Sequence, residues 1–301
     1  MTNLAPIVLF CFKRSDTLKR CIESLKKCPE STFTDLIIFS DSARNEQEKQ
    51  KVSDVRAYLK KINGFKSVQI NLRNQNLGVD YNIIQGIQEM AEKFESFIAV
   101  EDDLEVSYQF LHFMNAGLNR FKDFEKVLTI SAFNYVKIPK NYAYDCYFAQ
   151  RTNPWGWATW SPKIKEIDWD LAITDNFLVN PIGKKAFNKW GSDRSRMLRR
   201  TLQGEIRAWD IRLDYFQYKN DLMTAYSTKN LTVNIGFNSY DASNTTGYNR
   251  FKVNHQKFDK YSFLFPDFIF FNETIKRRFI MKNSLLNRIT TFALKKININ
   301  N

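Results

Sequence analysis

The sequence predicts an α/β protein built on a mostly parallel sheet with helices on both faces. Three observations carry this: short apolar runs alternate with stretches of helical periodicity, 44% of the 301 residues are apolar, and charged residues follow several of the apolar runs directly. Residues 6–12 form the first β-rich run, and Ser15 and Asp16 stand as caps before Leu18, Cys21, Ile22 and Leu25, which recur at helical spacing. A second strand at 36–39 precedes Val52, Val55, Leu59 and Ile62 on one helical face, with Gly64 as the stop signal. Alternating Val68, Ile70 and Leu72 then lead to a helix carrying Ile83, Ile84, Ile87 and Met90. The run 97–100 leads to Phe110, Leu111, Met114 and Leu118, and residues 127–130 begin another strand.

Counting removes several chemistries. His112 and His255 are the only histidines, too few for a histidine-rich zinc site and poor material for a histidine-centred triad. Cys11, Cys21, Cys28 and Cys146 contain no C-x-x-C pair and read as reduced core residues. There is no G-x-G-x-x-G and no P-loop, so a nucleotide must be held some other way. The balance of 45 basic to 32 acidic residues, a net +13, favours phosphates, anionic sugars or anionic lipid as partners. The opening MTNLAPIVLFCFKR reads as a first strand and not as a signal peptide, and no apolar run approaches the length of a membrane span, so a cytoplasmic place is expected.

In parallel sheets ligands gather at the carboxyl ends of the strands. Those positions here hold Lys13 and Arg14, Ser40 and Asp41, and Glu101, Asp102 and Asp103. A cation just before a helix opposes the helix dipole, so Arg14 is expected to face a carboxylate or a phosphate. Three successive carboxylates in IAVEDDL repel one another and are most easily tolerated beside a divalent cation or several donors; the bland alternative is an acidic loop capping the next helix. Oxygen ligands select hard cations such as Mg²⁺ or Mn²⁺.

The EDDL after an apolar strand, the early Lys13-Arg14-Ser15, the Ser40-Asp41 pair, Gly156-Trp157 and Trp209-Asp210 together resemble GT-A glycosyltransferases. More narrowly, they are similar to N-acetylglucosaminyltransferase I, the family 13 enzymes, and to related bacterial capsule and lipopolysaccharide transferases. The resemblance spans residues 5 to 245. It implies a GT-A fold, a Rossmann-like mostly parallel sheet with a contiguous acceptor-binding half, and an inverting transfer from a UDP-sugar. It also implies that Asp103 holds Mn²⁺ or Mg²⁺, that Asp102 contacts the ribose side, that Arg14 and Glu101 line the same pocket, and that Asp41 reads uracil. Gly156 and Trp157 fall on the donor side, and Ser243 and Asn244 fall in a segment that closes over the diphosphate. The base of the family follows a Trp, which carries to Asp210.

The residues themselves admit other uses. Trp155, Trp157 and Trp160 suit sugar stacking but also plain burial, and Gly156 suits a close backbone approach. Asp210 could instead pair with Arg207 in a first helical turn, with Asp214 and Glu205 as substitute bases. Arg194, Arg196, Arg199 and Arg200 suit phosphate or an acidic acceptor, although a solvated helix face is commoner. Over residues 270–301 seven basic residues stand against Glu273 alone, interspersed with Phe279, Leu285, Leu286 and Ile289. This segment reads either as an amphipathic surface for the inner face of an anionic membrane or as packing against the domain.

The expected organisation is a nucleotide-sugar half at 1–130, an acceptor and catalytic half at 131–250, and a basic tail at 251–301. The expected partners are a UDP-sugar and a saccharide or lipid-linked acceptor, with nucleic acid disfavoured. A nucleotidyltransferase would share the sheet and the acids but would open with a Gly-rich phosphate loop, which residues 6–15 lack. The alternative of a different class is a noncatalytic basic protein on anionic membrane or nucleic acid, which explains +13 but not the acids at strand ends.

Overall fold

The computed structural model describes residues 4–171, 180–237 and 251–290. Its centre is an eight-stranded sheet in the order β3-β2-β1-β4-β8-β6-β9-β7. The four βα units of the first half supply β1 (Ile7–Cys11), α1 (Ser15–Lys26), β2 (Asp35–Ser40), α2 (Glu46–Leu59), β3 (Ser67–Leu72), α3 (Gly78–Lys93), β4 (Ser96–Glu101), the short β5 (Leu104–Val106) and α4 (Phe110–Phe121). The chain continues through β6 (Val127–Ser131), β7 (Cys146–Ala149), β8 (Trp157–Trp160), α5 (Ser161–Lys165), α6 (Pro181–Phe187), α7 (Arg194–Leu202), α8 (Trp209–Lys219), β9 (Met223–Ser227), β10 (Thr232–Asn234) and α9 (Glu273–Lys282).

Strands β3, β2, β1 and β4 are mutually parallel, as expected when each returns through a helix. Side chains alternate across the sheet, so Ile7, Leu9 and Cys11 of β1 pack with α1 and α4 while Val8 and Phe10 pack with α3. Each large side chain buried this way contributes about 1.5–3 kcal/mol. The edge strand β3 is half exposed, which matches the alternation of Val68, Ile70 and Leu72.

The aromatic stretch forms a strand where Pro154 and Gly156 read as breakers, and its indoles at Trp157 and Trp160 are buried, the commoner of the two uses weighed for them. Gly156, at φ +77°, reverses the chain, and residues 157–160 enter the sheet antiparallel between β4 and β6. Trp157 packs edge-on to Phe97 and stacks on Trp209 at 5.6 Å between ring centroids, so both indoles serve the core. A Cβ at Gly156 would lie 2.7 Å from Thr232 Cγ2 and 3.0 Å from Phe110, and the glycine thus permits close packing inside the protein.

The C-terminal segment lies against the domain where it is described. Phe258 stacks on Phe113, and Ile275 and Phe279 of α9 bury themselves among Phe133, Tyr135, Tyr147 and Trp190. Among the described residues no helix is long and apolar enough to cross a membrane. All four cysteines are buried and unpaired, as their apolar positions suggested.

Candidate active site

The carboxyl ends of β1 and β4 are adjacent because their strands pair in parallel, and this brings Arg14 to the acidic motif. Arg14 Nη2 donates to Asp102 Oδ1 at 2.5 Å, and its Nη1 lies 3.1 Å from Asp103 Oδ2. The expected anionic partner of Arg14 is therefore a pair of carboxylates. Asp102 is held further by the Phe12 N–H, at 3.2 Å to Oδ2. Burial pushes the Asp102 carboxyl up to about 6 against the pull of Arg14, with the neighbouring Asp103 adding to the rise. Glu101 is raised well above the usual range by burial and by Asp103 and Asp102, opposed by Arg14. One guanidinium thus serves three carboxylates.

Asp103 sits where β5 leaves the motif to pair antiparallel with β10. Its carbonyl accepts from the Ile235 N–H at 2.8 Å, and Gly236 passes so close that a Cβ there would lie 2.5 Å from Asp103 Oδ2 and 2.7 Å from Arg14 Nη1. Among the described residues the second carboxylate oxygen of Asp103 makes no hydrogen bond. An oxygen-only donor with one uncommitted atom, beside acids that a single arginine leaves under-neutralised, fits a hard divalent cation.

Asp41 is fully occupied. Its Oδ1 accepts from the Ser42 and Leu77 N–H groups, both at 2.9 Å, and its Oδ2 from the Gly78 N–H and Asn76 Nδ2, both at 3.0 Å. Four donors fill the acceptor positions of a carboxylate. Asp41 therefore fixes the turn 76–78 that opens α3, and Asn76 and Gly78 of that turn line a cleft of about 450 Å³ together with Phe12, Arg14, Asp41 and Glu101. Lys13 and Arg44 stand on its wall, and both pair with Glu48, whose carboxyl these cations pull down to about 2.

A second cleft, of about 490 Å³, adjoins the first. Arg14, Val79, Glu101, Ile206 and Arg207 line both, and Asp103, Asp210, Arg151 and Trp155 belong to the second alone. Asp210, in the first turn of α8, lines this space. Burial pushes it up to about 6, with Asp214 reinforcing the rise and Arg151 opposing it. The pairing of Asp210 with Arg207 that the sequence allowed is not made among the described residues.

The substitutes for Asp210 have other work. Asp214 Oδ2 pairs with Arg194 Nε at 2.6 Å, and its Oδ1 accepts from the Thr152 N–H at 2.9 Å. Arg194 is fully buried, donating also to the carbonyls of Phe187 and Asp214, which corrects its reading as part of a solvated or phosphate-binding cluster. Arg196 and Arg199 are exposed on α7, as that reading had it. Glu205 is exposed and pairs with Arg200 at 2.9 Å.

Gly156 and Trp157 line neither cleft; Trp155 and Asn234 line the second, and Arg207 lines both. Ser243 and Asn244 lie outside the described residues. Sequence reasoning missed Arg151, Arg207, Asn283 and Arg288 as lining residues of the second cleft. Arg151 and Arg288 both pair with Asp193, at 2.9 and 2.7 Å, and no local spacing announces a network drawn from three separate segments.

Among solved structures, the chain is similar to a mannosyltransferase from Pyrobaculum calidifontis in complex with GDP-Man and Mn²⁺, at 9% identity and TM-score 0.34, covering 52% of this chain and 45% of that one. It is similar to S. aureus TarS at 11% identity and TM-score 0.42, covering 76% and 36% respectively. A third similarity is to a Bacillus anthracis protein described as a putative glucose-1-phosphate thymidylyltransferase in complex with a sucrose, at 10% identity and TM-score 0.40, covering 76% and 89%. This chain thus spans less than half the length of the first two. No curated protein matches it. Residues 1–186, which carry Arg14, the acidic motif and the Trp157 strand, match the GNT-I family, and the chain accordingly belongs to this family of glycosyltransferases.

Proposed function

We propose that the protein transfers a sugar from a UDP-sugar, UDP-GlcNAc being the first donor to test, to a hydroxyl of a glycan or lipid-linked saccharide, with inversion, in surface polysaccharide synthesis. The observation that carries this reading is the pair of adjoining clefts, one walled by Asp41 and Asp102 and the other by Asp210, with Arg14 and Glu101 at their junction. In this reading the half at 1–130 takes the nucleotide and the half at 131–250 takes the acceptor.

Asp210 accepts the proton of the acceptor hydroxyl while that oxygen forms a bond to the anomeric carbon. The bond from that carbon to the diphosphate oxygen breaks on the opposite side, and the electron pair leaves with UDP. A carboxyl pushed up to about 6 suits this, since a base is most effective near the working pH. Asp102 and Arg14 fix the ribose side, and Asp41 acts by holding the turn against which the base lies. Asp103 would hold Mn²⁺ or Mg²⁺, which supplies charge stabilisation for the departing diphosphate.

Calorimetric titration of UDP with and without Mn²⁺, on the wild type and Asp103→Ala, tests the donor reading. Metal-dependent affinity that disappears in the variant is expected; absence of UDP binding with metal present sinks the UDP and metal assignments.

The exposed Met281, Leu285 and Leu286 lie beside Arg277 and Lys282, and they support peripheral binding to an anionic membrane as a part of this proposal. Co-sedimentation with phosphatidylglycerol vesicles should fall several-fold for the double variant Leu285→Ser, Leu286→Ser; equal binding by variant and wild type rejects the membrane role. The family match leaves no reason to prefer the noncatalytic alternative.

A further inference from the structure

We infer that Arg207 is the diphosphate-binding residue of the donor site and that Gly78 is the seat that fixes it; this rests on the donor reading above. A nucleotide sugar with its nucleoside in one cleft and its sugar in the other must pass its diphosphate through their shared wall. That wall is made of Arg14, Val79, Glu101, Ile206 and Arg207. Its two cations differ in their commitments. Arg14 is spent on Asp102 and Asp103. Arg207 is exposed and, among the described residues, makes no hydrogen bond or ion pair, with buried Asp80 as its electrostatic neighbour.

The guanidinium of Arg207 lies against Gly78. It packs so closely over Gly78 that a Cβ there would lie 1.7 Å from Nη1 and 2.9 Å from Cζ. Gly78 has φ +76°, a conformation that glycine adopts without strain, and Asp41 Oδ2 anchors its N–H at 3.0 Å. The turn organised by Asp41 therefore both forms the nucleotide wall and leaves the vacant side on which the arginine rests. A fork of N–H donors in the wall that two adjoining clefts share matches the oxygens of a diphosphate. Arg207 also lies three residues before Asp210, just ahead of α8, so donor binding would register the base against the sugar.

Affinities for UDP, UMP and uridine, measured by calorimetry with Mn²⁺ on the wild type, Arg207→Gln and Arg207→Lys, test the assignment. Arg207→Gln should weaken UDP about tenfold or more while changing uridine less than about twofold, with Arg207→Lys between them, as expected for loss of charge-assisted bonds to phosphate. Inorganic pyrophosphate should compete with UDP on the wild type and lose potency on Arg207→Gln. Unchanged UDP affinity in Arg207→Gln, or an equal fall for UDP and uridine, overturns the assignment while leaving the donor reading intact. A wild type that binds neither UDP nor another nucleoside diphosphate overturns the donor reading, and the assignment with it. Thermal unfolding of Arg207→Gln should match the wild type closely, as expected for an exposed side chain that makes no hydrogen bond or ion pair among the described residues.

Discussion

Two groups of acids lie close together in this molecule and are treated in opposite ways. Asp193 and Asp214 are almost fully buried, and each is matched: Asp193 by Arg151 and Arg288, Asp214 by Arg194 and the Thr152 N–H. Glu101, Asp102, Asp103 and Asp210 face the clefts with one arginine among the first three, and burial drives three of the four carboxyls upward. A buried charge without a partner is costly, so a fold keeps one only where something else completes it. The matched acids tie α7 and α8 together, whereas in the second group a single arginine is shared by Asp102 and Asp103 and, among the described residues, makes no ion pair with Glu101 or Asp210.

The largest effect should come from the under-neutralised group. Asp210→Asn should lower kcat by about 10²–10⁴-fold while UDP affinity stays within about twofold, because the amide keeps the shape and loses the base. In the wild type, kcat at saturating donor should rise with pH through about 6, since the working form is deprotonated and burial has raised this carboxyl. That inflection should be missing from the residual activity of Asp210→Asn. A rate insensitive to pH between 5 and 7, roughly one unit either side of the raised value, would remove Asp210 from the role of base.

The matched group should respond in stability instead. Arg194→Ala strands the buried Asp214 carboxylate and should cost about 3–5 kcal/mol of unfolding free energy in a urea titration. Nucleotide affinity per folded molecule should be unchanged. If the variant keeps its stability and loses nucleotide binding, the division between structural and functional acids fails.

Two glycines sharpen the same contrast at a smaller scale. Gly156→Ala places a side chain at φ +77° against Thr232 and Phe110, and should cost about 1–3 kcal/mol of stability with little change in donor affinity. Gly236→Ala pushes instead on Asp103 Oδ2 and Arg14 Nη1, and should weaken metal-dependent UDP binding more than it lowers the melting temperature. The opposite pattern, with Gly156→Ala impairing the donor, would place Gly156 on the donor side.

Much of the first half was legible because its determinants are local. Helical spacing in Leu18, Cys21, Ile22 and Leu25 needs no partner to be recognised, and the same holds for Ile83 to Met90 and Phe110 to Leu118. The strand ends were legible for the same reason, and Arg14 found its anion there. Strand β8 was hidden because Pro154 and Gly156 read as breakers, and its pairing with β4 and β6 spans long sequence separations. The bonds of Asp41 were not legible, because a carboxylate at a strand end has no visible partner until the turn at 76–78 folds back onto it.

Sequence alone determined the α/β alternation, the acids after β4 and the Trp209-Asp210 pair, since these follow from periodicity and from residues adjacent in the chain. Tertiary structure decided which charges are spent. Arg194 and Arg207 are both arginines in a basic, polar stretch, yet one is locked to Asp214 in the interior and the other rests on Gly78 between two clefts. Burial and pairing depend on what distant segments bring to within a few ångströms, and the free energy of a charge is set by that company and not by its neighbours in sequence.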